Sequence, residues 1–151
     1  MVVTSRGKFL TAEELGAWQG FLQAHTRVVG ELDRRLRAEH EISVSEFDVL
    51  ITLFNAPRRR LRMTELANAV TLTQAGLTHL ANRLERAGLV ERQRDPVDRR
   101  SFFVVLNAAG LRRLDEARRT HNEVIRHAFT GRLTRTQRRA LAGSWAAILA
   151  E

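Results

Sequence analysis

The chain has 151 residues, 44% of them apolar and 28% charged, ordinary values for one globular domain able to bury a sizeable core. It contains no cysteine, which excludes disulfides, thiolate metal sites, cysteine nucleophiles and thiol-based redox sensing. Its 25 basic residues against 17 acidic ones leave a formal charge of +8, and all of them except Lys8 are arginine, a planar and permanently charged fork suited to phosphate.

From the N-terminus, no apolar run approaches the roughly 18 residues of a membrane span. Residues 1–6 lack the apolar core of a signal peptide, so a cytoplasmic protein is expected. Thr11-Ala-Glu-Glu14 has capping-box spacing and opens a predicted helix running to about Glu39. Leu15, Trp18, Leu22, His25, Val29, Leu32 and Leu36 follow one another along it in alternating steps of three and four, a heptad-like seam that Phe21 and Val28 widen. So long a seam exceeds what a small domain covers by itself, and part of it is expected to pack against a second chain.

Ser43-Val-Ser-Glu46 is a second capping box, followed by Phe47, Leu50, Ile51 and Phe54 on one helical face, and Pro57 ends that helix. Arg58 to Arg62 reads as a solvated basic connector. A short helix from Thr64 to about Val70 turns inward Leu66, Ala67 and Val70. Thr71-Leu72-Thr73 then turns the chain, and Thr73 caps a helix that runs to about Ala87 and is closed by Gly88. Leu89–Arg94 and Phe102–Leu106 are rich in strand formers, with the loop Asp95-Pro-Val-Asp-Arg-Arg-Ser101 between them. Asn107 caps a helix over about 108–128 that carries Leu111, Leu114, His121, Val124 and Ile125. Thr134-Arg-Thr-Gln137 is a third capping box, opening a last helix with Leu141, Trp145, Ile148 and Leu149.

These elements predict a mainly α fold with a minor β component: a winged helix-turn-helix of six helices and a β-hairpin wing, in a single domain over 1–151. A DNA-binding lobe is expected over about 43–106, preceded by the helix of about 11–39 and followed by the helices of about 108–151. In the helix after Thr73, Leu77, Leu80, Ala81 and Leu84 pack inward. The opposite stripe is Ala75, Thr78, His79, Asn82 and Arg86, flanked by Gln74 and Arg83. Asparagine and glutamine pair with adenine edges, arginine with guanine, and threonine or alanine with a thymine methyl. Arg99 and Arg100 stand at the expected wing tip, where Asp95 and Asp98 are placed to hold their side chains extended. The candidate contacts to double-stranded DNA are therefore Thr73, Gln74, Ala75, Thr78, His79, Asn82, Arg83, Arg86, Arg99 and Arg100.

The block Leu66-Ala-Asn-Ala-Val-Thr-Leu-Thr-Gln-Ala-Gly-Leu-Thr-His-Leu-Ala-Asn-Arg-Leu-Glu-Arg-Ala-Gly-Leu-Val-Glu-Arg92, followed by Asp98-Arg-Arg-Ser101 and Leu106-Asn-Ala-Ala-Gly110, resembles the MarR (multiple antibiotic resistance regulator) family of transcription factors. The likeness covers nearly the whole chain, and Leu84, Glu85, Gly88, Leu89 and Val90 followed by Asp98-x-Arg100 is its specific part. It implies a homodimer built on the N- and C-terminal helices, with recognition helices in successive major grooves of a near-palindromic operator. It maps the minor-groove arginine onto Arg100, with Arg99 beside it. This chain has His79 where the family commonly has arginine and Asn82 where aspartate is common, departures that bear on the operator sequence. Many relatives are repressors released by a small aromatic or phenolic acid, and the resemblance places that pocket at Trp18, Phe21, Leu22, His25, Phe47 and Phe54. A flat apolar site with one polar group suits such a ligand.

No enzyme is expected: His25, His40, His79, His121 and His127 form no i, i+4 metal pair, and neither a glycine-rich phosphate loop nor a nucleophile elbow is present. No catalytic residue, metal or cofactor is assigned. The alternative function is a sequence-tolerant architectural DNA-binding protein without a ligand.

Overall fold

The structure, a computed structural model, describes residues 9–70 and 72–150; Thr71 of the expected turn and the Gln74 side chain lie outside the described residues. The elements run α1 (Ala12–His40), α2 (Val44–Asn55), β1 (Arg60–Arg62), α3 (Met63–Ala69), α4 (Gln74–Arg86), β2 (Val90–Arg94), β3 (Phe102–Leu106), α5 (Ala108–Ala128) and α6 (Arg135–Ile148). The capping residues start the helices as their chemistry requires. Ser43 Oγ accepts from Glu46 N while the Glu46 carboxylate accepts from Ser43 N, and Thr134 and Gln137 repeat the exchange. Two compact units emerge, one of Leu32–Val124 and one of the chain up to Glu31 together with Ile125 onward, so the division falls inside α1 and α5.

The unit of Leu32–Val124 is built around Leu36, Leu50, Leu53, Leu66, Leu77, Leu84, Val104 and Leu114, all buried. At about 25 cal/mol per Å2 of apolar area, each such leucine contributes roughly 1.5–3 kcal/mol. Leu32 and Leu36 belong to this interior, so the part of the α1 seam expected to pack against a second chain does not extend to them. Tertiary folding wraps α2 and α5 residues around the end of α1 and covers the seam there from within one protomer.

Arg60–Arg62 is a correction. It is a strand and not a solvated connector: β1 pairs antiparallel with β3, which pairs with β2, giving a three-stranded sheet in the order β1-β3-β2. Its alternation places Leu61 opposite the buried Val104, while Arg60 and Arg62 lie over the Phe103 ring at 4.5 and 5.1 Å on the other face. Arg58 and Arg59 turn the chain into this strand with φ of 56° and 53°, a left-handed conformation that costs about 1–2 kcal/mol per residue outside glycine.

α4 ends in a Schellman motif. The N–H of Leu89 donates to the Leu84 carbonyl and that of Gly88 to Glu85, both at 2.9 Å, with Gly88 at φ 72°. Gly110 is needed for a different reason: a Cβ there would meet the Leu89 carbonyl oxygen at 2.0 Å. Asn107 ties the two glycines together, donating to the Gly88 carbonyl and accepting from Gly110 N, both at 2.8 Å.

In the other unit, Phe21 packs edge-on against Trp145 of α6 at 5.3 Å, with Trp18 and His25 tilted against it at 5.9 and 6.1 Å. Its apolar surface is incompletely covered. Trp18 is 53% exposed and Leu22 43%, and Leu10, Leu15, Ile148 and Leu149 are exposed too. Among the described residues, no helix is long and apolar enough to cross a membrane.

Candidate nucleic-acid interface

α4 begins at Thr73, whose hydroxyl accepts from Gly76 N at 3.1 Å, so this candidate contact orients the helix start. With Leu77, Ala81 and Leu84 buried, Ala75, Thr78, His79 and Arg86 are exposed and Asn82 is half-buried between them. Neither Glu nor Asp interrupts the first turn, where partial positive charge and open N–H groups favour phosphate.

Two of the expected readers are held by the protein. Arg83 Nε lies 3.2 Å from Glu46 Oε1, a carboxylate only 3% exposed at the capped start of α2. This ion pair ties α4 to α2, while the Arg83 side chain stays 42% exposed. Asn82 accepts a hydrogen bond at Oδ1 from Arg92 Nη2 on β2. Arg92 Nε also stands 3.4 Å from Glu85 Oε2, so α4 and β2 are clasped at two side chains. The sequence pattern contained both partners of each pair but offered no rule for matching them.

The wing turn is shaped by its aspartates, though not as expected. Asp98 Oδ1 accepts from the backbone N–H of Arg100 at 3.0 Å, and Asp95 Oδ1 accepts from that of Val97 at 2.9 Å. The second Asp95 oxygen takes Arg62 Nε and Nη2, each at 2.7 Å. The expectation that these carboxylates hold the guanidinium groups of Arg99 and Arg100 is therefore corrected: they fold the backbone, and both arginine side chains are exposed. The backbone N–H two residues on lies within reach of an aspartate carboxylate, whereas a neighbouring guanidinium needs a long side chain to double back.

Asp95 is 2% exposed, and the Val97 N–H, followed by the Arg62 guanidinium, holds its carboxyl below the ordinary aspartate range. A lowered value means that Asp95 stabilises the wing at neutral pH, and that this contribution is lost as pH falls through the lowered value. In a carboxyl-carbon NMR titration the Asp95 midpoint should lie below about 3.9, and Arg62→Met should raise it. A midpoint at or above that value in the parent protein would contradict the clasp.

The residues expected at a ligand pocket fall into separate surroundings. Trp18, Phe21 and His25 share the ring cluster with Trp145, and Leu22 is exposed beside them in sequence. Phe47 is buried and stacked on His121 at 4.8 Å, while Phe54 lies under the guanidinium groups of Arg59 and Arg118 at 5.6 and 5.3 Å. No group of three or more potential metal ligands occurs among the described residues.

Residues 42–102 match the model of the MarR family. A solved structure from Streptomyces coelicolor, Sco3205, described as a MarR family transcriptional regulator in complex with DNA, is 34% identical with a TM-score of 0.86. The match covers 94% of this chain and 89% of that one. From Bacillus subtilis (strain 168), the uncharacterized HTH-type transcriptional regulator YkoM is 31% identical over 103 residues, 68% of this chain and 66% of YkoM. The HTH-type transcriptional repressor YetL of the same organism is 36% identical over 75 residues, 50% of this chain and 45% of YetL. The matched region thus spans just under two thirds of one Bacillus relative and under half of the other.

Proposed function

The chain belongs to the MarR family of transcriptional regulators, and from that membership we propose that it is a homodimeric, sequence-specific DNA-binding repressor acting on a near-palindromic operator. Its relatives are regulators and not enzymes. One observation carries the reading: an exposed row of Ala75, Thr78, His79 and Arg86 on α4 accompanies a turn whose two arginines are both exposed. A helix suits the major groove and an arginine the narrow minor groove. The naming of YetL as a repressor favours repression, and the complex of Sco3205 with DNA favours operator binding.

A second copy is the natural cover for Trp18, Leu22, Ile148 and Leu149, large apolar side chains that the chain leaves exposed. Release is assigned to a small aromatic or phenolic acid that stacks on the ring cluster of Trp18, Phe21 and His25. Such a ligand lowers affinity by favouring a spacing of the two heads other than the roughly 34–36 Å between half-sites. The cytoplasm is the proposed compartment.

Gel shifts with a selected duplex and its scrambled counterpart at about physiological salt test the reading. Preference for the selected duplex is expected, with affinity falling steeply as salt rises, on the order of six or more counterions per dimer. Equal binding of both duplexes would favour the architectural alternative, and a flat salt profile would remove phosphate contacts from either.

A further inference from the structure

We propose that Arg92, by occupying Asn82 Oδ1, turns Asn82 into a reader that mainly donates, so that the base it meets is selected as guanine in preference to adenine. This rests on the assignment of α4 as the DNA-reading helix. A guanidinium has N–H donors and no acceptor, so the Asn82 atom that it touches is the carbonyl oxygen Oδ1. Chemistry alone settles which way the amide points. Nδ2, with its two N–H groups, is then the part of the side chain left to meet a ligand, midway along the row between His79 and Arg86.

The clasp is built to hold that orientation. Arg92 sits on β2 opposite Val104 in the central strand of the sheet, and its Nε lies 3.4 Å from Glu85 Oε2, one helical turn from Asn82. Charge attraction to Glu85, without a hydrogen bond from Arg92 Nε, draws the guanidinium toward α4, and Asn82 is itself half-buried. An unconstrained asparagine reads adenine by donating to N7 while accepting from N6. Oδ1 keeps a second lone pair, but with Arg92 on the first and its positive charge beside the second, the adenine N6 and cytosine N4 amino groups are met less favourably. Guanine presents O6 and N7, both acceptors, to the Nδ2 donors. An amino group that meets the guanidinium charge in place of a free acceptor is what separates the wrong base from the right one.

Duplexes selected from a randomised pool by the full-length protein, and sequenced, test the proposal. Asn82→Ala identifies the position concerned, as the one whose preference it erases. There the parent protein is expected to favour guanine over adenine by about fivefold or more. Arg92→Met frees the amide and should bring that ratio to about one or below, whereas Arg92→Lys still donates to Oδ1 and should retain it. Asn82→Asp offers Arg92 one oxygen and the groove another, and should move the preference to cytosine, which covers the case in which Arg92→Met fails to fold.

An adenine preference in the parent protein would overturn the proposal. So would an Arg92→Met protein that binds more weakly with its base preferences unchanged, since Arg92 would then be only structural. A parent protein that selects its duplex through other positions, with Asn82→Ala silent, overturns this inference alone. One that selects no duplex at all overturns the reading of α4 as well.

Discussion

Replacing Leu36 by glutamate is expected to unfold the lobe of residues 32–124, whereas the pair Trp18→Glu and Leu22→Glu is expected to leave it folded and separate the two copies. All three residues lie on one seam of α1, yet their surroundings differ. Leu36 is fully buried among Leu50, Leu53 and Leu114, so a carboxylate there has neither water nor a partner. Such a change costs about 4 kcal/mol or more, a large part of the roughly 5–15 kcal/mol that holds a domain together. Trp18 and Leu22 are half exposed within the chain, so glutamate there stays hydrated and is desolvated only in the proposed dimer.

Urea denaturation and sedimentation separate these outcomes. The Leu36 variant should show a collapsed unfolding midpoint. The Trp18 and Leu22 double variant should keep its circular dichroism, sediment as one chain, and lose affinity for a two-half-site operator by about a hundredfold or more, because both heads no longer bind as a unit. A double variant that remains a dimer would assign the pairing surface elsewhere.

Arg100→Ala is expected to weaken operator binding by about 1–3 kcal/mol, a loss of roughly five- to a hundred-and-fifty-fold, with no change in thermal stability. The stability prediction follows from the contacts. Asp98 holds the backbone N–H of Arg100, which alanine retains, and the guanidinium is exposed. The affinity loss follows from a cation entering the enhanced negative potential of a narrow minor groove. Fluorescence anisotropy on a labelled operator measures it, and unchanged affinity would take the wing out of the mechanism. Asp98→Ala, by contrast, should loosen the turn and lower affinity through a more mobile Arg100.

Much of the architecture was legible along the chain because the physics that writes it is local. Thr11, Ser43, Thr73 and Thr134 cap helices through bonds that reach two or three residues, and each is found where the pattern places it. Gly88 closes α4 because a left-handed residue is required there, and the hydrophobic period sorted Leu77, Ala81 and Leu84 from Thr78 and His79. The exposed row on α4 and the exposed arginines of the turn needed nothing more than these rules and a known arrangement to which they could be compared.

Partners far apart in the chain were decided only by the tertiary structure. Arg62 finds Asp95 33 residues away, Arg83 finds Glu46, and Arg92 finds Asn82. In a chain with this many arginines every acid has several candidates, and side-chain spacing has no period that would choose among them. The same holds for β1, whose three residues become a strand only because β3 presents unpaired backbone groups beside them. It holds also for α1, where one uninterrupted apolar seam is interior at Leu32 and Leu36 and surface at Trp18 and Leu22. Periodicity tells which side of a helix is apolar; what comes to lie against that side depends on how far the rest of the chain can reach.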